Sequence, residues 1–134
     1  MIIIERKVHF GQGRHTRKEL RNGEATAAPA GRVPRVSRLM ALAIRFEQLI
    51  REGVVADQAE LARLGHVTRA RLTQIMNLLC LAPDIQEQIL YLPPTEKGRD
   101  SVTERQLRPI LQALSWKMQR QMWRTVTTQC RKSA

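Results

Sequence analysis

The sequence predicts an all-α protein, a multi-helix domain that follows a flexible basic arm. Apolar residues recur at three- and four-residue steps through most of positions 36–126, which is typical of helices with one buried face. Positions 11–35 instead combine glycine, proline and basic residues without periodicity, which favours a flexible segment. We therefore predict a basic arm over 1–35, a helical domain over 36–126 and a frayed tail over 127–134. Only 4% of the 134 residues are aromatic, so the core is expected to be aliphatic.

The net charge of +11 lies at the two ends of the chain. Residues 1–35 carry eight Lys and Arg against three acids, residues 101–134 carry seven against one, and the middle is neutral. Such a balance favours a polyanionic partner, because each neutralised phosphate releases condensed counterions. Arg32 and Arg35 are candidates for DNA-backbone or minor-groove contacts, with a solvated linker as the alternative.

Other classes of protein find little support in the sequence. No apolar run is long enough for a signal peptide or a membrane span, so we expect no membrane partner and a cytoplasmic, nucleoid-associated protein. Cys80 and Cys130 have neither metal nor disulfide spacing, and Cys80 is expected to be a buried thiol beside two leucines. Histidines and acids form no catalytic or metal-binding pattern, so we expect no enzyme, metal or cofactor.

The apolar stripes predict the helices in order. A first helix covers 36–52, and a short helix covers 85–92 before two prolines. A last helical region opens at Thr103, where Pro109 predicts a kink or a fresh helix start. Residues 1–10 are a candidate strand, paired with a second copy of the chain or loose.

Between the first helix and the helix at 85–92, the stretch Asp57–Leu79 predicts two short helices joined by a tight turn. Asp57 is a good N-cap for a helix over 58–64, and Glu60 is in capping-box position. Gly65 suits the positive φ that ends many helices. Two helices joined in this way form a helix-turn-helix unit, whose second helix enters the DNA major groove.

The second helix of this unit, over 68–79, begins at the N-cap Thr68. Its outward side chains are of the types that pair with base edges and phosphates, and no acid occurs from Thr68 to Leu81. An ordinary amphipathic helix more usually carries Glu and Lys on its polar face. The candidate DNA-binding residues are therefore Gln58, Thr68, Arg69, Arg71, Thr73, Gln74 and Asn77, together with Arg32 and Arg35.

Trp116 and Trp123 lie seven residues apart and share one face of the last predicted helix. Side chains this large need to be buried by something. Core packing is one interpretation, and a homodimer contact through this C-terminal helix is the other, because Trp is enriched at interface anchors.

From Gln58 to about Leu114 the chain resembles the helix-turn-helix domain of the ParB/KorB family of plasmid and chromosome partition proteins. The matching residues are Leu61-Ala62, Gly65, Thr68, Leu78-Leu79, Leu81-Ala82-Pro83 and the stretch from Ile85 to Leu90. The resemblance implies a helical fold that binds double-stranded DNA. It does not extend to the family's nucleotide-binding domain, because residues 1–56 lack that domain's arginine-rich signatures. The chain is also similar to small helix-turn-helix proteins associated with mobile-element recombinases.

The sequence thus predicts a sequence-specific DNA-binding protein, a transcriptional or mobile-element regulator that reads the major groove with helix 68–79. The alternative is an accessory subunit of a recombinase or polymerase, which docks through Trp116 and Trp123 and binds DNA weakly and without specificity. RNA binding is a third interpretation, disfavoured because the sequence predicts no sheet with stacking aromatics.

Overall fold

The computed structural model describes residues 1–12, 18–24 and 31–132. These residues form six α-helices and one two-stranded sheet, so the prediction of a mostly helical protein is confirmed. The chain divides into two compact units, Met1–Ala30 and Gly31–Ala134. Parts of the predicted arm, with Arg14 and Arg17, and the last two residues of the predicted tail lie outside the described residues.

The first unit contains a β-hairpin. Strand β1, Val8–Gln12, pairs antiparallel with β2, Lys18–Asn22, and Phe10 lies opposite Leu20. Only the last three residues of the candidate strand over 1–10 belong to β1, and their partner is β2 of the same chain rather than a second copy. The prediction of an aperiodic flexible segment was wrong for the end of β1 and for β2. Periodicity could not predict β2, because strand pairing satisfies backbone N–H and C=O groups whatever the side chains are.

The second unit contains all six helices. Their bounds are α1 Arg35–Arg51, α2 Gln58–Leu64, α3 Arg69–Met76, α4 Pro83–Leu90, α5 Glu104–Gln112 and α6 Trp116–Lys132. The first, second and fourth helices lie within two residues of their predicted bounds.

The main core joins α1, α4, α5 and α6. Met40, Ile85 and Leu107 are fully buried there, and Trp123 packs among these otherwise aliphatic side chains. The buried hydroxyl of Ser37 donates a hydrogen bond to the Ile89 carbonyl at 2.6 Å, which ties α1 to α4 without leaving a polar group unpaired.

A smaller core holds α2 and α3 against α1. Val55, Leu61, Ala62 and Leu72 are buried in it, and Phe46 of α1 packs against them. This cluster places α3 with one side in the core and the opposite side in solvent.

The helix predicted over 68–79 ends early, at Met76. A 3₁₀ turn, Asn77–Cys80, follows it. The tighter turn changes which side chains face inward, so Leu78 and Leu81 are buried while Cys80 is exposed. The prediction of a buried Cys80 was therefore wrong.

Pro109 lies inside α5 and does not break it. The break comes later, at Ala113, whose extended backbone separates α5 from α6. Pro109 removes one backbone hydrogen bond, but Leu107 and Ile110 on either side of it are buried and hold the helix in place. The predicted kink or helix start at Pro109 was wrong in position.

The break between α5 and α6 is closed by one buried amide. The Gln119 Oε1 accepts from the Ala82 N–H at 2.9 Å, and its Nε2 donates to the carbonyls of Ala113 at 3.1 Å and Cys80 at 3.3 Å. Gln119 thus joins α6 to the end of α5 and to the 3₁₀ turn after α3.

The two tryptophans of α6 have different environments. Trp123 is 3% exposed and its Nε1 donates to Gln88 Oε1 at 2.7 Å, whereas Trp116 is 51% exposed. The Arg120 guanidinium lies 6.0 Å from the centre of the Trp116 ring. Core packing, one of the two interpretations, is therefore confirmed for Trp123 but not for Trp116, and the two tryptophans do not form one exposed surface. α6 continues to Lys132. The prediction of a frayed tail was therefore wrong for residues 127–132.

Candidate nucleic-acid interface

The helix α2 begins with side-chain caps of the predicted kind. Asp57 Oδ1 accepts from the Glu60 N–H at 2.8 Å, which confirms Asp57 as N-cap. The Glu60 carboxylate accepts from the Ala56 N–H at 2.8 Å, one residue before the position expected in a capping box. The start of α2 is therefore fixed by contacts within five consecutive residues.

The turn between α2 and α3 differs from the prediction in its backbone. Gly65 has φ −82°, and the positive φ, 52°, belongs to His66. A Cβ on residue 65 would lie 3.3 Å from the Leu61 carbonyl oxygen, so close packing on α2 explains the glycine. The Val67 N–H donates to the Ala62 carbonyl at 3.1 Å and closes the turn.

Thr68 caps α3 as predicted, because its Oγ1 accepts from the Arg71 N–H at 3.2 Å. Every residue from Arg63 to Ala70 is exposed, so the turn and the first residues of α3 face solvent together. No acid lies in the first turn of α3, where backbone N–H groups point outward along the axis. This end of α3 is open to an anion.

One side of α3 is exposed and polar. We call this set the α3 edge. It consists of Arg69, Thr73 and Gln74 of α3 and of Asn77, the first residue of the 3₁₀ turn that follows α3. Among the described residues the Arg69 guanidinium has no ion-pair partner. Gln58 of α2 lies across from Thr73 and Asn77 in a groove of about 500 Å³ between α1, α2 and α3. One acid also lines this groove, Glu47 of α1, which is paired with Arg51 at 3.1 Å. The structure thus brings five of the predicted DNA-binding residues to one surface.

Arg71, predicted to face DNA, is instead paired. Its two terminal nitrogens lie 2.6 and 3.2 Å from the two carboxylate oxygens of Glu104, and one of them also donates to Gln74 Oε1 at 3.1 Å. Hydrogen bonding to Glu104 raises the pKa of Arg71, and hydrogen bonding to Arg71 lowers the pKa of Glu104. Both side chains are partly buried, so the pair fastens α3 to α5.

Helix α5 adds residues that were absent from the predicted set. Arg108 and Gln112 lie with Gln74 and Asn77 around a depression of about 400 Å³ that Glu104 also lines. The one signal in the sequence was Glu104 itself, the sole acid among residues 101–134. Its partner was not predictable, because Arg71 is 33 residues away along the chain.

Arg32 and Arg35 belong to the helical unit rather than to a loose arm. The Arg32 guanidinium donates to the Gly98 carbonyl at 3.0 Å and to Asp100 Oδ1 at 3.1 Å, while its backbone pairs with Thr95. The Arg35 backbone N–H donates to Asp100 Oδ2 at 2.9 Å and is the main cause of a lowered pKa of Asp100. The Arg35 side chain remains exposed, and its charge contributes to the lowered pKa of Glu104.

No family model, curated protein or solved structure matches the chain. The resemblance to the partition proteins therefore stays a prediction. Within the described ranges, no group of three or more His, Cys, Asp or Glu side chains is arranged to hold a metal ion. None of the helices in these ranges has the length and apolar character needed to cross a membrane.

Proposed function

We propose that the protein binds double-stranded DNA in a sequence-specific manner, with α2 and α3 acting as a helix-turn-helix unit. The observation that carries the proposal is the α3 edge. Its four exposed polar side chains include no acid, and they lie on α3 and the residue after it, while the other side of α3 is buried. A helix anchored in this way can enter the major groove and hold its outward side chains against base edges.

The chemistry of each side chain suggests its role. The Asn77 amide can pair with the N6 and N7 of adenine. The Gln74 amide can do the same, because its Oε1 keeps a second lone pair beside the one that accepts from Arg71. Arg69 suits guanine or a phosphate. Thr73 offers a methyl group and a hydroxyl to the groove. Thr68 and Gln58, at the starts of α3 and α2, are assigned to phosphates.

Arg71 receives a different role in this proposal. Its guanidinium is already held at both ends by Glu104, so reading a base would require breaking a bidentate ion pair. We assign it to positioning α3 on α5. Arg108 of α5 lies beside Gln74 and Asn77. We assign to it, together with Arg69, the cationic contacts with DNA near α3.

The biological role that fits such a reader is a transcriptional or mobile-element regulator that acts by occupying its site on the nucleoid. Two copies would bind a palindromic site with half-sites about 34 Å apart, or a multiple of it. Three exposed apolar side chains favour a contact with a second copy near the start of α6. They are Leu114, just before the helix, and Trp116 and Met118 in its first turn. The accessory-subunit alternative required both tryptophans outside, and Trp123 is in the core.

Selection from random duplex DNA, followed by anisotropy titrations, tests the proposal. We expect an enriched motif, and Gln74→Ala or Asn77→Ala should weaken binding to it by about 5- to 150-fold, because a bidentate base contact contributes about 1–3 kcal/mol of discrimination. Gln48→Ala, an exposed glutamine of α1, is the matched control. A selection without any enriched motif, or variants that keep the parent's preference, would overturn the proposal.

A further inference from the structure

Helix α6 presents a second cationic surface, which α3 does not share. The helix has 17 residues, five of them Lys or Arg and none acidic. Its packed side contains the buried Gln119 and Trp123, with Val126 half-buried beside them. The opposite side is exposed, and we call it the α6 basic face, formed by Lys117, Gln121, Arg124, Thr128 and Lys132.

The cations of this face are not neutralised by neighbours. Among the described residues, Lys117, Arg124 and Lys132 have no carboxylate within ion-pair distance. Arg120, on the flank, is different because its Nε lies 3.0 Å from Asp84 Oδ2. Arg131, which is also exposed, has no carboxylate within ion-pair distance among the described residues either. Four of the five cations of α6 are therefore unpaired and face solvent.

The dimensions and chemistry of the face fit a phosphate backbone. Lys117 and Lys132 are about 22 Å apart along the helix at about 1.5 Å per residue. Duplex DNA carries one charge per about 1.7 Å of axis, so several phosphates lie within that length. The Thr128 hydroxyl donates to the Arg124 carbonyl at 2.8 Å, so it is occupied within the helix. Charge rather than hydrogen-bond pattern is left to attract a ligand.

A lipid surface fits this helix less well. Amphipathic helices bind membranes by burying their apolar side among the acyl chains. The apolar side of α6 is already occupied by the core, since Trp123 is 3% exposed. Trp116 and Met118 are exposed only at the first turn of the helix.

We propose that the α6 basic face binds the phosphate backbone of duplex DNA without reading its sequence. This surface is separate from the α3 edge, and binding to it needs no sequence preference. It gives the protein a second point of attachment, either on the same duplex or on another segment of DNA.

The test is the salt dependence of binding to a random-sequence duplex of about two helical turns. The variant Lys117→Gln/Arg124→Gln/Lys132→Gln should make the plot of log affinity against log salt shallower by about 2 to 3, because each phosphate contact contributes about 0.9 to its slope. The control Arg38→Gln/Arg45→Gln/Lys97→Gln removes the same charge from exposed positions elsewhere and should change the slope by less than about 1.

A gain variant guards against loss of folding. Gln121→Lys/Thr128→Lys adds two cations to the face and should steepen the slope by about 1 to 2. Equal slopes for the α6 variant and the control, or no change in the gain variant, would overturn the proposal. The proposal would also be overturned if the α6 variant lost binding to phosphatidylserine vesicles but bound DNA as the parent does. Failure of the proposed function would give a different result. The selection from random DNA would show no sequence preference, and the differences in salt slope between these variants would remain.

Discussion

His66 has the one positive φ found at a non-glycine position among the described residues, 52°. This region costs any residue with a Cβ about 1–2 kcal/mol, and a β-branched residue more than histidine, while glycine adopts it freely. His66→Val should therefore lower the free energy of unfolding by about 1 kcal/mol, whereas His66→Gly, which removes the Cβ, should not lower it by more than about 0.5 kcal/mol. Urea denaturation measures both. Equal stability of the two variants would contradict the assigned backbone.

A second single residue, Glu104, makes the stability of the protein depend on pH. Hydrogen bonding to Arg71 lowers its pKa in the folded protein below the ordinary 4.5. The stabilisation is therefore complete above about pH 4.5 and is lost as pH falls through the lower folded value. Glu104→Gln should cost about 1 kcal/mol at pH 7 and much less near pH 3. A stability difference that stays constant between these pH values would contradict the pair's role.

Single residues were predictable where their partners are local. The N-caps Asp57 and Thr68 bond to groups three residues ahead, and such spacing can be recognised in a sequence. Arg71 was predicted as a base reader because its partner, Glu104, is brought near only by the packing of α5. His66 was missed because Gly65, beside it, offered a simpler candidate for the positive φ.

At the scale of elements, Gln119 of α6 joins the end of α5, the 3₁₀ turn after α3 and the start of α4. Gln119→Leu would leave the buried Ala82 N–H without its partner and remove a donor from two carbonyls, which should cost about 2–3 kcal/mol. Gln121→Leu, on the exposed side of the same helix, should change stability by less than about 0.5 kcal/mol. Thermal and urea unfolding compare the two, and similar losses would show that Gln119 is not a connector.

Helices were predictable as elements, while their exact ends depended on packing. Periodicity predicted α1, α2 and α4 well, because each has one apolar stripe. It continued α3 through Leu79, since nothing in the local pattern distinguishes an α-helix from the 3₁₀ turn at Asn77–Cys80. The hairpin was missed for the opposite reason, because its pairing leaves no periodic apolar signature.

At the scale of the whole molecule, both hydrophobic clusters lie in the second of the two units. Residues 31–134 contain both hydrophobic clusters and should fold without residues 1–30. Removing residues 1–30 takes away six Lys and Arg against three acids, so binding to any duplex should weaken and its salt slope should fall. Circular dichroism and anisotropy measure the two effects. Loss of helix content in the shortened protein would contradict the first, and an unchanged slope the second.

The early end of α3 limits how much sequence one copy can recognise. α3 and Asn77 together have nine residues, which cover about 13 Å at about 1.5 Å each and span about four base pairs at about 3.4 Å each. A word of four letters recurs by chance about once in 256 positions, far too often to mark one place in a genome. If the proposed function holds, a single copy would therefore bind many sites and could not select one of them. Selectivity would have to come from spacing, through two copies bound at a fixed distance.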